Sequence, residues 1–426
     1  MKLNYKRTIL VGFAFFLISA FWQAYDTIVP LILVNKFGMD QTGSGGIMAL
    51  DNVFAVILLP IFGRLSDKTS TRYGRRTPYI LFGTLAAAVF FVLLGFAPSL
   101  PLFIALLLGC LLAMATFRSP AVALMPDVTV KPLRSKGNAV INLMGTAGGI
   151  IILLFATVFK TSTPGKTDFS AYIIAVVGVM LAALVVFLLT VKEPRWAAEM
   201  EEETVRIGGD AEAEEREAAG GKLSRGQTIS FFLILASVAL WFIGYNAVTS
   251  KYSLYAVDVL HMNYATTLLI AQAAAIVAYL PVGFLASKIG RHKSILIGVA
   301  ILTTAFAGAY FVTSATPPLL MTVFFALAGI GWATINVNSF PMVVELAKGG
   351  DVGKYTGYYY TASMAAQIVT PLLSGFLMDQ FGMRNVLFPY AAIATTLAFI
   401  TMLFVRHGDA KPVAKAGLEA LDVDDD

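Results

Sequence analysis

Long uninterrupted apolar runs are the feature of this sequence that most constrains its fold. Runs of about 20 residues recur through almost the whole chain, and a bilayer core about 30 Å thick needs roughly that many apolar residues per helix. The composition agrees, since 58% of the 426 residues are hydrophobic and 13% are charged. The runs are continuous rather than alternating, which argues against a transmembrane β-barrel. The sequence therefore predicts an all-α membrane protein.

We predict twelve transmembrane helices. Their ranges are 9–34, 44–65, 78–97, 101–126, 137–159, 170–191, 229–256, 264–286, 294–313, 318–346, 355–378 and 386–405. The basic start of the chain is similar to that of a signal peptide, but the apolar stretch that follows is too long and does not end in a small-residue cleavage site. We therefore expect this stretch to be retained as the first span.

The cationic residues predict the orientation of the chain. Most of the 31 Lys and Arg residues fall on one side, which holds both termini, the turn after Gly63, the middle linker and the segments at Lys131, Lys288 and Lys348. The positive-inside rule makes this side cytoplasmic. We expect a multi-pass protein of the plasma (inner) membrane with both termini in the cytoplasm. The net charge of +5 then reflects topology and contact with the lipid bilayer, not a nucleic-acid partner.

One long polar interruption divides the spans into six and six. Acidic residues cluster in it between Glu193 and Glu217. We interpret residues 192–228 as a cytoplasmic linker, in the main a flexible tether, between an N-terminal bundle (1–191) and a C-terminal bundle (229–406). Residues 407–426 are predicted to be a disordered cytoplasmic tail.

The two halves repeat each other in sequence. Residues Ala115-Thr116, Asp127 and Lys136 have the same spacing as Ala333-Thr334, Glu345 and Lys354. Six spans per half give both repeats the same orientation in the membrane. Parallel repeats of this kind are typical of transporters that expose a central site to each side in turn.

A charged turn between the second and third spans carries a family resemblance. Gly63-x-Leu65-x-Asp67 followed by Gly74-Arg75-Arg76 resembles the signature of the major facilitator superfamily. The longer reading from Ser66 to Ile80 is more narrowly similar to the sucrose-transporter-like branch of the glycoside, pentoside and hexuronide symporters. The resemblance covers all twelve spans. It implies two pseudo-symmetric six-helix bundles, with spans one, four, seven and ten lining a cavity.

Three charged residues lie inside apolar spans. They are Asp26 in span one, Asp51 in span two and Arg118 in span four. A charge near the bilayer centre costs about 2.5–3.5 kcal/mol even on the permissive insertion scale, so such residues mark functional sites. We interpret Asp26, with Asp51 second, as the protonation site, and Arg118 as a group that orients substrate hydroxyls or tunes the carboxylate. The alternative is a static ion-pair network.

Aromatic and amide side chains in the spans are candidates for sugar recognition. Sugars bind through aromatic faces and fixed amides. The candidate substrate-binding residues are Trp22, Gln23, Arg118, Asn138, Asn142, Trp241, Tyr245, Asn246, Trp332, Asn336, Asn338, Tyr359 and Gln367. For each one alone, the alternative is a role in helix packing.

The sequence departs from the family pattern at two places. The sucrose transporters carry an Arg a few residues before the position of Asp127, whereas this chain has Ala121-Val122-Ala123 there. The role of that Arg is therefore not transferred to Arg118. Sodium-coupled melibiose-type relatives carry carboxylates in span two near the position of Pro60. This chain has no carboxylate there. We therefore expect proton coupling rather than sodium coupling, with no metal and no cofactor.

Charged residues at the cytoplasmic ends of the spans predict a gate. Carboxylates at helix ends that face clustered Arg residues can latch two halves of a transporter in one state and release them in another. The candidate gating residues are Gly63, Asp67, Gly74, Arg75, Arg76, Asp127 and Glu345. The alternative is a solvated, positive-inside turn without a gating role.

Several functional classes find no support in the sequence. It contains no nucleotide-binding loop, no dinucleotide fingerprint and no His and Cys set with metal-ligand spacing, and we find no nucleophile and base pair for a membrane enzyme. We therefore predict a proton-coupled symporter of a di- or oligosaccharide, sucrose- or maltose-like, that functions as a monomer. Two alternatives stay open: an antiporter or importer of a small anionic substrate, and a non-transporting sugar sensor.

Overall fold

The computed structural model describes residues 3–130, 133–206, 223–344, 346 and 352–408. Within these residues the chain forms thirteen α-helices and no strand. The first seven are α1 Tyr5–Leu31, α2 Gln41–Lys68, α3 Thr77–Gly95, α4 Leu100–Asp127, α5 Arg134–Val158, α6 Ser170–Thr190 and α7 Glu193–Arg206. The others are α8 Arg225–Leu254, α9 Tyr264–Ile289, α10 Arg291–Tyr310, α11 Pro318–Val344, α12 Val352–Phe381 and α13 Met383–Leu403.

Eleven stretches among the described residues are long and apolar enough to cross a membrane. They correspond to all predicted spans except the one at 264–286, which lies in α9, where the apolar stretch that qualifies is the shorter Tyr264–Tyr279. Large apolar side chains such as Phe82, Leu189 and Ile393 are exposed on these helices, as lipid contact requires. The all-helical, multi-pass membrane class is thus confirmed.

Helix α8 begins earlier than the sequence predicts. Its start at Arg225, not 229, is set by a capping box in which the Ser224 side chain accepts from the backbone of Gln227 and the Gln227 side chain accepts from the backbone of Ser224. This pair satisfies two amide groups that would otherwise lack partners at the helix start. The apolar periodicity alone does not report such a polar first turn.

Contacts divide the chain into two compact units. Unit 1 comprises Met1–Met39 and Ile47–Gly209, and unit 2 comprises Asp40–Gly46 and Asp210–Asp426. In each unit the first membrane helix packs on the fourth, fifth and sixth, the third packs on the fourth and sixth, and the fifth packs on the sixth. The first helix of each unit also ends in a short π-helical segment, Ile32–Lys36 and Tyr255–Val259. The structural repeat therefore matches the repeat in the sequence.

Part of the predicted linker is a helix, α7, that belongs to unit 1. Trp196 of α7 lies against the guanidinium of Arg7, whose carbon is 4.8 Å from the ring centroid. Arg7 also pairs with Glu199 at 3.3 Å. This part of the predicted tether is consequently anchored. Residues 207–222 of the predicted linker and 409–426 of the predicted tail lie outside the described residues.

The first turn of α2 is fixed within unit 2. The backbone amides of Gln41 and Thr42 donate to the carboxylate of Asp379 at 2.8 and 2.7 Å, which satisfies amide groups at the helix start. The buried ammonium group of Lys251 donates to the backbone carbonyl of Gln41 at 2.9 Å and to its side-chain oxygen at 3.2 Å. Polar and charged groups therefore hold this turn at two points.

Candidate functional site

Asp26, Asp51 and Arg118 form one electrostatic cluster in unit 1. They come from α1, α2 and α4, and the charges of both carboxylates interact with that of Arg118. Each of the three side chains is partly exposed. Among the described residues, no ion pair within 4.0 Å joins Arg118 to either carboxylate. The three charges thus lie within electrostatic range of one another, and the absence of direct pairing in the described part weakens the alternative of a static ion-pair network.

Trp22 completes this cluster on the side of α1. The guanidinium carbon of Arg118 lies 5.4 Å from the centroid of the Trp22 ring, within cation–π distance. Trp22 precedes Asp26 by four residues, so both lie on one face of α1. The indole nitrogen of Trp22 is enclosed and has no acceptor among the described residues. The cluster therefore offers a free donor beside a cation.

Two residues that the sequence analysis did not select belong to the same cluster. Asn52 donates to one carboxylate oxygen of Asp51 through its backbone amide and its side-chain nitrogen, both at 2.6 Å. Tyr25 is fully buried, and its hydroxyl has no partner in the described part of the chain. Tyr25 lies close enough to interact with both carboxylates. Adjacency to an intramembrane Asp was the only sequence signal for either residue.

The predicted amides of unit 1 lie on α1 and α5, which pack together. Gln23, Asn138 and Asn142 are all partly exposed. The amide nitrogen of Asn142 is enclosed and has no acceptor among the described residues. Gln23 and Asn138 each have an interaction partner. The structure thus leaves the amide of Asn142 free to donate to a ligand.

Unit 2 carries an aromatic group with amides beside it. The rings of Tyr245 and Trp332 are stacked, with centroids 3.6 Å apart and planes at 6°. Phe242 meets Trp332 at 5.2 Å and 87°, edge to face. The side-chain nitrogen of Asn246 donates to the carbonyl of Phe242 at 2.8 Å. Asn336 follows Trp332 by one helical turn and is partly exposed, as are Tyr245 and Trp332.

Three other predicted residues of unit 2 lie inside the helix packing. Trp241 is fully buried, and Asn338 is 1% exposed and donates to the carbonyl of Thr334 at 2.9 Å. Tyr359 is 5% exposed, and its hydroxyl bonds to that of Ser339 at 3.0 Å. These environments favour the packing alternative for all three. Gln367 on α12 is partly exposed.

The charged turn folds into a compact network within unit 1. Arg75 and Arg76 both bind the carboxylate of Asp127, with contacts of 2.8 and 2.7 Å, and Arg76 also binds Asp67 at 2.5 Å and the hydroxyl of Ser66. Burial opposes the charge of Arg76, but hydrogen bonds and attraction from Asp127 and Asp67 outweigh burial and raise the pKa of its guanidinium. The network fastens the ends of α2, α3 and α4 to one another.

Glu193 is a functional candidate that the sequence analysis placed in the solvated linker. It is 2% exposed, and its carboxylate accepts from the backbone amides of Arg75, Arg76 and Thr77 at 2.7, 2.8 and 2.7 Å. It also accepts from the Thr77 hydroxyl at 2.7 Å. The carboxylate therefore caps the start of α3, where amide groups point outward and favour an anion. No periodicity in the sequence signals this contact between distant positions.

Both glycines of the motif have a steric role. Gly74 has a φ of +113°, and a Cβ placed there would lie 2.2 Å from the carboxyl carbon of Glu193. A Cβ at Gly63 would lie 2.8 Å from the hydroxyl of Ser119 on α4. Glycine thus permits the cap at one position and close helix contact at the other. Glu345, the remaining predicted gating residue, lies outside the described residues.

The described part of the chain holds no group of three or more His, Cys, Asp or Glu residues arranged to bind a metal ion. A helical membrane protein with two repeated units and an intramembrane charge cluster has the features of a membrane transporter. Sequence comparison agrees with this class. The family model of the Major Facilitator Superfamily matches residues 11–362 and 270–423. The chain therefore belongs to the Major Facilitator Superfamily.

Individual proteins are similar to the chain over nearly its whole length. An uncharacterized MFS-type transporter of Methanocaldococcus jannaschii is 23% identical over 416 residues, which cover 94% of this chain and 95% of that protein. The solved structure of the nucleoside transporter NupG matches with a TM-score of 0.68 at 14% identity, covering 94% of this chain and all of that one. The xylose transporter XylE of E. coli matches with a TM-score of 0.65 at 15% identity, covering 98% of both chains. At such identities the structures share the fold alone.

Proposed function

We propose that this protein is a proton-coupled symporter of a di- or oligosaccharide, sucrose- or maltose-like, that works by alternating access. The observation that carries the proposal is the cluster in unit 1. Asp26 and Asp51 face Arg118 without an ion pair shorter than 4.0 Å among the described residues. Unpaired carboxylates inside a membrane are retained for a function, because the charge is costly there.

Proton binding at Asp26 is the coupling step of this proposal. Asp26 and Asp51 repel each other, and Arg118 attracts both. A proton on Asp26 removes one negative charge and leaves Asp51 and Arg118 as a balanced pair. The protonated carboxyl group can also donate a hydrogen bond to a sugar hydroxyl. Substrate and proton thus favour each other's binding, as symport requires.

Each unit, taken by itself, presents groups of a kind that binds sugars. Aromatic rings cover the apolar faces of a pyranose, and amides and charged groups bind its hydroxyls. In unit 1 the donors are the indole of Trp22, the amide of Asn142 and the guanidinium of Arg118. In unit 2 the aromatic surface is Trp332, with Asn336 one turn away. Recognition by ring faces and hydroxyl donors favours a neutral, multi-hydroxyl substrate.

The proposal extends to the setting of the protein. The positive-inside distribution supports a plasma (inner) membrane protein with cytoplasmic termini. The charged network around Asp127 is then the cytoplasmic gate, and the functional form is a monomer that needs no metal or cofactor. We propose membership of the narrower sucrose-transporter-like branch because the segment from Ser66 to Ile80 resembles that branch.

Uptake by purified protein in liposomes tests the function. Radiolabelled sucrose and maltose are offered under an inward proton gradient to wild type, Asp26→Asn and Glu202→Gln. We expect wild type to accumulate one of the sugars and Asp26→Asn to lose pH-driven accumulation while exchange in part survives. Glu202→Gln controls for removal of a carboxylate outside both the cluster and the gate, because Glu202 is exposed on α7, and we expect it to retain gradient-dependent accumulation. Undiminished accumulation by Asp26→Asn would contradict the assignment of the proton site.

A small anionic substrate is the second candidate, and one observation favours it. Arg118 makes no ion pair within the described residues, so its charge is available to a carboxylate-bearing ligand. The same liposomes separate the candidates. Stabilisation of the protein against heat by gluconate but not by glucose, together with counter-flow of the anion, would replace symport by the antiporter or anion importer. Sugar binding without accumulation would identify a sensor.

A further inference from the structure

The contact between Tyr245 and Trp332 has an unusual geometry for an aromatic pair. Their planes are almost parallel at 6°, and their centroids are 3.6 Å apart, so the rings overlap nearly completely. Aromatic pairs prefer an offset or edge-to-face arrangement with centroids 4.5–7 Å apart. Phe242 meets Trp332 in that preferred way, at 5.2 Å and 87°. The contact with Tyr245 thus has the less favourable geometry of the two, although the Tyr245 ring lies over a face of the indole.

This geometry decides which ring face a ligand can use. A ring at 3.6 Å leaves no room for another group on the covered face. Both side chains are partly exposed, so the pair is not locked inside the packing as Trp241 is. Tyr245 also sits on α8, whereas Trp332 sits on α11. A change of the Tyr245 side-chain rotamer would therefore uncover the indole while its helix stays in place.

We propose that Tyr245 is a self-stacking cover that competes with a sugar ring for the face of Trp332 and so sets the affinity of the transporter. The proposal rests on the proposed function, because it takes the sugar as the ligand of the indole. A pyranose ring binds to Trp332 only when Tyr245 has turned away. The cover keeps the apolar platform closed to small apolar molecules and lowers affinity for the sugar, which favours its release.

Fluorescence quenching tests the cover without any substrate. The chain has four tryptophans, so Trp22→Phe, Trp196→Phe and Trp241→Phe together leave Trp332 as the sole emitter. In this background Tyr245→Leu is expected to raise the acrylamide quenching constant about twofold, because one of two ring faces becomes accessible. Tyr245→Phe keeps the ring and is expected to raise it little. Phe242→Leu removes the edge contact alone and serves as the matched control. If the acrylamide quenching constant is the same in Tyr245→Leu and in its parent, Tyr245 does not cover Trp332 and the proposal is wrong.

Sugar binding tests the competition, in a background that keeps all tryptophans. Dissociation constants for sucrose and maltose are measured for wild type, Tyr245→Phe and Tyr245→Leu by calorimetry in detergent. Because a stacked pair contributes modestly, we expect Tyr245→Leu to bind about two- to tenfold more tightly than wild type. Weaker or unchanged binding by Tyr245→Leu would overturn the proposal, since it would make Tyr245 a binding wall or a bystander.

The two measurements separate this inference from the proposed function. Tighter binding by Tyr245→Leu together with increased quenching supports both. If wild type and Tyr245→Leu both bind neither sugar, the proposed function and the sugar competition fail together, whatever the quenching result. If wild type binds sugar and the quenching constants do not differ, the function stands and the cover is rejected.

Discussion

We predict that replacement of Glu193 by Gln destabilises the protein, and this prediction depends on contacts seen only in the three-dimensional structure. The carboxylate is 2% exposed and accepts four hydrogen bonds, three of them from the backbone amides of residues 75, 76 and 77. In Glu193→Gln the charge is lost, and a side-chain NH₂ group faces amides that also donate. The start of α3 then loses its anion and at least one of the four bonds, because the backbone amide of Thr77 cannot accept from the new NH₂ group, whereas its hydroxyl can.

The size of the effect follows from these contacts. A hydrogen bond to a charged group contributes about 1.5–3 kcal/mol, and a buried donor left without a partner costs about 1–3 kcal/mol. The contributions of one carboxylate are not additive, so we expect a loss of about 2–4 kcal/mol for Glu193→Gln. A unit of this size loses roughly 2–4 °C of melting temperature per kcal/mol, which gives a decrease of about 4–16 °C.

Thermal unfolding of the purified protein measures this loss. The matched control is Glu202→Gln, which makes the same chemical change at an exposed position on the same helix. We expect the control to melt within about 1 °C of wild type, because surface substitutions have small effects. If Glu193→Gln melts with the control, the carboxylate does not cap α3 and the anchoring of α7 is wrong.

Three further substitutions test other contacts. Gly74→Ala should lower the melting temperature by several degrees, because φ is +113° and the new Cβ would meet the cap at 2.2 Å; wild-type melting would contradict the cap geometry. Gly45→Ala should reduce the yield of folded protein, since its Cβ would lie 1.9 Å from the carbonyl oxygen of Pro371. Size-exclusion chromatography measures this yield. The control is Gly178→Ala, whose Cβ would meet no atom within 4 Å. Arg118→Lys keeps the charge but loses the planar group beside Trp22, and should weaken sugar binding about five- to tenfold with unchanged melting; unchanged binding by calorimetry would remove Arg118 from the site.

The membrane helices could be predicted from the sequence because a single physical requirement sets them. Each apolar run must span the bilayer. Lipid offers no hydrogen-bond partners to the backbone, so a continuous apolar run must satisfy its own backbone groups, which it does as a helix. The parts that the sequence did not predict are polar. The capped start of α8 depends on Ser224 and Gln227, and the anchored α7 depends on Glu193. Acidic residues in a charged run look alike until the fold brings one of them to the amides of α3.

The three charged residues in the spans could also be singled out from the sequence, whereas the exposure of the candidate sugar-binding side chains could be predicted only in part. Asp26, Asp51 and Arg118 stand out because a charge in an apolar run has few reasons to be there. Aromatic residues stand out less. Trp241 and Tyr245 share one helix, yet Trp241 is fully buried and Tyr245 is partly exposed. The packing of α8 against neighbouring helices decides this difference. The angles at which helices cross could not be predicted from the single sequence.

Proton movement driven by sugar tests the central claim most directly. Liposomes containing the purified protein and a trapped pH-sensitive dye are given sucrose or maltose from outside with no imposed gradient. The account predicts that the lumen of wild-type liposomes acidifies as sugar enters, because each sugar carries a proton inward. It predicts no acidification by Asp26→Asn, although that variant still exchanges labelled sugar. Sugar entry into wild-type liposomes without any acidification would contradict proton symport.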